Sequence, residues 1–367
     1  MKWIFNVRRP LLLARNVFID RESPDLEALA RIDDPEAFVW AILPHAARTF
    51  STGIAMLPAR SAMPAAVAYL YCRMLDTYED LVPDRATREA QLTAFGARFA
   101  RGETVAPLPA PRIMNANDRD DRDRAHLLLV EKSSLVDQVF MTFDGPTRTV
   151  VADLVRDMAE GMRWSSATFA SQGGVLVSEA QLATYCGHVL GNPVVFMIRL
   201  LRLNMEGSAT LGADERENAM QVGQIVQLAN VTRDVEKDLR RGISYDASLR
   251  ADLGRDVHGD ASAMERVRRV RERMLRIALG LSPSYGRVIE GMRLPRLSFA
   301  RASAVVMLLF TERYFRQCAR RVGLPAWRGP DTAGAIILRG LMAAASRRRA
   351  KREIERVESA FRECAGT

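Results

Sequence analysis

The chain has 367 residues, 48% hydrophobic and 26% charged, which is enough apolar sequence for a folded core and excludes a disordered or disulfide-built protein. Its net charge of +9 is carried by arginines spread along the chain, and aromatic residues make up only 7%. That pattern excludes a basic, aromatic nucleic-acid patch and suits phosphorylated substrates or anionic membrane surfaces.

Apolar residues recur with helical rather than two-residue periodicity in nearly every long segment, so the predicted fold class is all-α. No linker divides the chain, which reads as a single domain over 1–367, with a core at about 36–322, an N-terminal extension at 1–35 and a basic helical tail at 323–367. Near the N-terminus, Arg8-Arg9-Pro10 breaks the stretch Met1-Lys2-Trp3-Ile4-Phe5, and the apolar run from Leu11 to Ala14 is too short for a signal-peptide core. Helices are predicted at 35–47 and at 63–81, the second with Pro64 in its first turn and Pro83 past its end. A charge run at 118–124 predicts a loop or helix entrance. Further helices are predicted at 125–142, 148–172, 179–204, 214–240, 261–281, 297–322 and 332–360. Gly173-Gly174 is a breaker, and Gly191-Asn192-Pro193 predicts a kink inside 179–204. The stretch 333–345 is apolar except for Arg339 and falls short of the ~20 residues of a membrane span. The basic run Arg347-Arg348-Arg349-Ala350-Lys351-Arg352 comes directly after it, a combination suited to an interfacial helix. Cys72, Cys186, Cys318 and Cys364 lack paired or zinc-like spacing, which favours a reducing cytoplasmic setting.

The chemistry is concentrated in two acidic clusters, Asp76-Thr77-Tyr78-Glu79-Asp80 and Asn230-Val231-Thr232-Arg233-Asp234-Val235-Glu236-Lys237-Asp238. In each, aspartates at i and i+4 share one helix face, where like charges repel unless a cation offsets them. Oxygen donors without His or Cys suit Mg²⁺, which takes one or two carboxylates and fills its shell with water and substrate phosphates. Tyr69, Arg73, Asp76 and Asp80 form one polar stripe, and Gln227, Asn230, Asp234 and Asp238 form another. Arg48-Thr49-Phe50-Ser51 adds a guanidinium and hydroxyls suited to phosphate oxygens.

Four stretches in order resemble the squalene and phytoene synthase family, the head-to-head branch of the trans-isoprenyl diphosphate synthases. They are Ala47-Arg48-Thr49-Phe50, Tyr69 through Asp80, Tyr185-Cys186-Gly187-His188-Val189, and Gln227 through Asp238. The resemblance implies the isoprenoid synthase fold, a helical bundle around a central apolar cavity. It implies Mg²⁺ held by Asp76, Asp80, Asn230, Asp234 and Asp238 with Glu79 in support, and diphosphates contacted by Arg48, Thr49, Arg73 and Arg233. It places Tyr69, Tyr185 and Gln227 near the reacting centres. Phe50, Phe196, Met197, Leu228 and Phe310 are candidate walls, where water must be excluded from a carbocation.

The implied activity is condensation of two farnesyl diphosphates, through a cyclopropyl diphosphate, to a squalene-type C30 hydrocarbon; the Asp-Thr-x-Glu-Asp form of the first motif resembles squalene synthases most. Open alternatives are a phytoene synthase using geranylgeranyl diphosphate, a member making dehydrosqualene, presqualene diphosphate or another terpenoid, and a non-catalytic helical protein that binds prenyl diphosphates or docks at membranes. Use of NADPH stays open, since a helical cavity needs no Gly-x-Gly-x-x-Gly fingerprint. The partners expected are prenyl diphosphates and, peripherally, the cytoplasmic membrane surface, with no nucleic acid and a monomeric state. Two departures from the family pattern bear on metal affinity and product: Lys237 stands in place of Glu, and Leu190-Gly191-Asn192-Pro193 replaces the Ala-Gly that ends the third motif.

Overall fold

A computed structural model describes residues 2–20, 23–100 and 119–365. The elements in chain order are α1 (Lys2–Phe18), α2 (Leu26–Ala30), α3 (Pro35–Ala47), α4 (Thr49–Met56), α5 (Ala59–Leu81), α6 (Arg85–Ala97), α7 (Asp121–Glu131), α8 (Ser133–Met141), α9 (Gly145–Ser171), α10 (Glu179–Cys186), a π-helical turn Gly187–Gly191, α11 (Asn192–Glu206), α12 (Ala213–Arg240), a short 3-10 turn Ala247–Asp252, α13 (Ala261–Gly280), α14 (Pro283–Gly291), α15 (Phe299–Val322), α16 (Ala333–Ala345) and α17 (Arg347–Ala365). Among the described residues the β contact is an isolated parallel bridge between Val175 and Ser244. The chain forms two compact units, Met1–Arg163 with Phe196–Thr210, and Trp164–Val195 with Leu211–Thr367.

In the first unit, α3 spans its expected range because Asp34 caps it and Pro35 occupies its first turn. The next predicted helix starts earlier than 63: α5 begins at Ala59 after Pro58, which leaves Pro64 inside the helix. A proline there lacks only one backbone donor, and the buried alanines and leucines around it hold the helix together. Asp120 accepts from the Asp123 N–H at 2.8 Å, so the charge run is a helix entrance, although Asp118 lies outside the described residues. The helix expected over 125–142 divides at Lys132, whose ammonium donates to the carbonyls of Ala30 and Ile32. The buried side of α5 is fixed by Tyr71, which donates to Asp137 at 2.7 Å while Arg98 donates to the other Asp137 oxygen at 2.6 Å. Phe95, Phe99 and Phe140 pack edge-on around the Tyr71 ring.

In the second unit, the expected kink is a π turn. Gly187–Gly191 widens the helix between α10 and α11. Gly223 of α12 lies so close that a Cβ there would meet Gly191 N and Cα and Leu190 O at 2.4 Å. The opposite side of α12 is tied to α13 by buried Arg271, which donates to the Thr232 carbonyl at 2.7 Å and to Glu236. The expected tail helix over 332–360 is two helices, because Ser346 turns the chain to ψ 115 and its hydroxyl caps α17. Fully buried Glu312 of α15 gathers Arg356 of α17, at 2.6 and 2.8 Å, and the Trp327 indole at 3.0 Å. α1, α2, α4, α6 and α14 lie outside the helices that the sequence pattern predicts.

Substituting Gly223→Ala is expected to destabilise the protein by roughly 1–3 kcal/mol, because the backbone facing it cannot yield as a side chain would. Gly280→Ala, at a helical glycine with open space around it, is the control and should leave the melting temperature near the parent's. Equal melting temperatures for both variants would contradict the close approach.

Candidate active site

The first cluster is built on α5. Arg73 lies between Tyr69 and Asp76, donating to the Tyr69 hydroxyl at 3.3 Å and pairing with Asp76 at 3.1 Å. Asp76 keeps 29% side-chain exposure, Asp80 is exposed and Glu79 is half-buried. Burial pushes the Asp76 carboxyl up to about 6; Arg73 opposes this and the Asp80 charge adds to it. Burial raises the Tyr69 phenol as well. Phe50 on α4 packs against the Tyr69 ring with centroids 5.6 Å apart.

Arg48 joins α3 to α4 with φ 49 and ψ −118, a conformation that costs a non-glycine residue about 1–3 kcal/mol. The Ser51 hydroxyl donates to the Arg48 carbonyl at 2.6 Å and stabilises that geometry. Ser51 is fully buried. It therefore shapes the turn, a correction to its expected service as a phosphate-facing hydroxyl, while Arg48 is exposed and Thr49 half-buried. Sequence reasoning missed His126 on α7. It is buried, and desolvation together with Arg73, Arg122 and Arg48 depresses its imidazole to about 2, so it stays neutral. Only tertiary packing brings a histidine from α7 to these arginines.

The second cluster is built on α12. A hydrogen-bonded chain runs from Asn230, which donates to Gln227 at 3.2 Å, to Gln227, which donates to the Tyr185 hydroxyl at 3.4 Å, and on to Tyr245, whose hydroxyl lies 3.2 Å from that of Tyr185. Phe169 closes edge-on against both tyrosine rings. Asp234 accepts both guanidinium donors of Arg233, at 2.8 and 2.6 Å, and Arg233 also lies over the Tyr314 ring. Asp238 is buried and Lys237 is exposed. Tyr245 too was missed, since it lies past α12 in an irregular segment. Its signal was Gly173-Gly174: Gly174, at φ 84, packs so tightly that a Cβ would meet Gly242 O at 2.4 Å, and its carbonyl accepts from Ser244 N–H at 2.8 Å. The breaker positions the tyrosine.

The squalene/phytoene synthase family profile matches residues 43–328. The chain belongs to this family. Among its relatives, a lycopaoctaene synthase from Botryococcus braunii is 28% identical over 230 residues, 61% of this chain and 46% of that one. A 15-cis-phytoene synthase from Synechocystis is 24% identical over 248 residues, 66% of this chain and 64% of that one. The chain thus spans about half to two thirds of the length of these curated relatives. The ligand complex of TcSQS superposes with a TM-score of 0.68 over 90% of this chain and 92% of that chain at 17% identity, a likeness of fold. The fold is the isoprenoid synthase fold, as the motifs implied.

Against a squalene/phytoene synthase background, the donor set on each helix fits Mg²⁺: two carboxylates one turn apart, with oxygen or amide neighbours. Among the described residues no three His, Cys, Asp or Glu side chains gather closely enough to hold a metal. Phe196, Leu228 and Phe310 are buried, and Phe50 and Met197 half-buried.

The raised Asp76 carboxyl makes a signed prediction for the metal-free protein. Between about pH 4, where an unfolded aspartate ionises, and about pH 6, the native state holds a proton that the unfolded chain has lost, so this group's contribution to stability falls as pH rises. In chelator, Asp76→Asn should therefore gain stability relative to the parent on going from pH 4 to pH 7, by on the order of 1 kcal/mol because partial exposure moderates the effect. Denaturant titrations at both pH values read this directly, and a variant-to-parent difference that does not change with pH would contradict it.

Proposed function

We propose that the protein condenses two molecules of farnesyl diphosphate head to head, through a cyclopropyl diphosphate, into a squalene-type C30 hydrocarbon. The observation that carries this reading is the pair of aspartates on each of α5 and α12, set beside arginine and tyrosine in oxygen-only surroundings. Mg²⁺, when bound, neutralises charge on the departing diphosphate. On α5, Asp76 and Asp80 would hold such an ion with Glu79 in support, and on α12 Asp234 and Asp238 would do so with Asn230.

Arg48, Thr49, Arg73 and Arg233 have the chemistry to meet phosphate oxygens as the allylic C–O bond breaks and its electron pair leaves with diphosphate. Arg233 is held by Asp234 and Arg73 by Asp76, so each guanidinium is already oriented. The cation left behind is attacked by the double bond of the second substrate, and a proton must then depart to close the cyclopropane. The Gln227–Tyr185–Tyr245 chain offers hydroxyls that can hold that proton or face the cation. Half-buried aromatic rings around it limit access of water.

The phytoene-forming alternative has its own support, since relatives of similar identity include a phytoene synthase. Incubation with farnesyl or geranylgeranyl diphosphate, each with and without NADPH, then mass identification of the hydrocarbon, separates them. A C30 product from farnesyl diphosphate is expected. A C40 product alone would overturn the substrate assignment, and no diphosphate release with either would overturn the enzymatic one.

Asp80→Asn and Asp238→Asn are each expected to lower turnover by ~10²-fold or more at limiting Mg²⁺ while leaving the helical circular dichroism unchanged. Near-parental rates in both variants would remove these carboxylates from the metal site.

A further inference from the structure

The C-terminal part of the second unit carries a surface that the proposed reaction does not use. One side of α16 is packed on α15 through Ile336, Ile337, Gly340, Ala343 and Ala344. Gly340 permits a near approach, since a Cβ there would reach the Val306 side chain at 2.3 Å and the Ala302 carbonyl at 3.2 Å. Of the 333–345 stretch, read from the sequence as suited to an interfacial helix, this side is buried in the core. The other side leaves Leu338, Leu341 and Met342 exposed at 59%, 37% and 37%. Their spacing of three and four places them in one stripe.

The segment before α15 extends this stripe. Ser298 N–H donates to the Ala344 carbonyl at 3.0 Å, and buried Arg301 donates to the carbonyls of Ala344, Pro295 and Arg296 at 3.3, 2.6 and 3.0 Å. Leu297, 64% exposed, is thereby held at the C-terminal end of α16. The chain segments on either side of these apolar side chains carry Arg293, Arg296, Arg347, Arg348, Arg349, Lys351 and Arg352, all exposed. Arg347 donates to the Leu294 carbonyl and Lys351 approaches Glu355 at 3.8 Å. Glu353 is taken by Arg339 and Arg356. Among the described residues the side chains of Arg293, Arg296, Arg348, Arg349 and Arg352 have no acidic partner.

We infer that this face docks on an anionic lipid bilayer. Leu297, Leu338, Leu341 and Met342 enter the boundary between headgroups and acyl chains, and the unpaired arginines engage lipid phosphates. The charge pattern selects this occupant over a second copy of the chain, because a self-complementary contact would bring two rims of the same sign together. Among the described residues no helix is long and apolar enough to cross a membrane, and a reversible surface contact needs none.

Flotation of the full chain with phosphatidylcholine vesicles, with and without phosphatidylglycerol, tests this without reference to turnover, so its failure is separate from failure of the proposed reaction. The parent should float with anionic vesicles at low salt and much less at high salt, where screening weakens exposed charges. Replacing Arg348, Arg349 and Arg352 together by alanine should lower the partition coefficient by about 10²-fold at low salt. Leu297→Ser with Leu338→Ser, both at exposed positions, should weaken binding at either salt while the melting temperature holds. Failure of the parent to float with anionic vesicles at low salt, or equal flotation of parent and both variants, would overturn the inference. So would a dimer on size exclusion that the leucine substitutions dissociate.

Discussion

Two carboxylates one turn apart on the same helix face repel each other, and of the pairs on α5 and α12 only Asp80 is exposed while Asp76, Asp234 and Asp238 are partly or wholly withdrawn from water. Neither helix can rotate to relieve that repulsion. The far side of α5 is held by the Tyr71–Asp137–Arg98 hydrogen bonds inside a cage of phenylalanines, and the far side of α12 by Arg271 and by the Gly223 contact with the π turn. Arginine offsets part of the charge, through Arg73 at Asp76 and Arg233 at Asp234. The Asp76 carboxyl nevertheless stays well above the usual aspartate range, so its partner does not fully satisfy it. An additional cation is the physical complement of this arrangement, and a folded protein that retains such unfavourable groups does so for function.

The sequence made the helices and both carboxylate pairs legible because each depends on local spacing: a 3.6-residue period, a capping aspartate, a proline in a first turn. Asp34 and Pro35 start α3 where expected, and the stripe from Tyr69 to Asp80 lies on one helix. The features that escaped were set by contacts distant in sequence. The division at Lys132 depends on carbonyls about a hundred residues away, and the π turn depends on a glycine of α12. His126 reaches the arginines, and Tyr245 reaches Tyr185, only through tertiary packing. Ser51 shows the converse error: its residue type suggested phosphate binding, whereas burial commits its hydroxyl to the strained carbonyl beside it.

The arginine excess acquires several distinct physical roles. Arg98, Arg271, Arg301 and Arg316 are buried cations that donate to carboxylates or backbone carbonyls, so they tie helices to neighbouring helices and loops. Arg73 and Arg233 are partly exposed and paired to aspartates, a geometry suited to sharing charge with an incoming diphosphate. Arg293, Arg296, Arg348, Arg349 and Arg352, in the segments flanking α16, are exposed and have no acidic partner among the described residues. A single composition figure therefore covers arginines in three distinct physical settings.

Binding of an unreactive prenyl thiodiphosphate tests the central claim most directly, measured by calorimetry in Mg²⁺ and in chelator for the parent and for variants lacking a carboxylate on α5 or on α12. If both pairs hold metal against diphosphate, Mg²⁺ should tighten binding by at least about tenfold, a difference of about 1.4 kcal/mol. Loss of a carboxylate from either helix should abolish most of that enhancement. Equal affinity with and without Mg²⁺ in the parent would contradict the account.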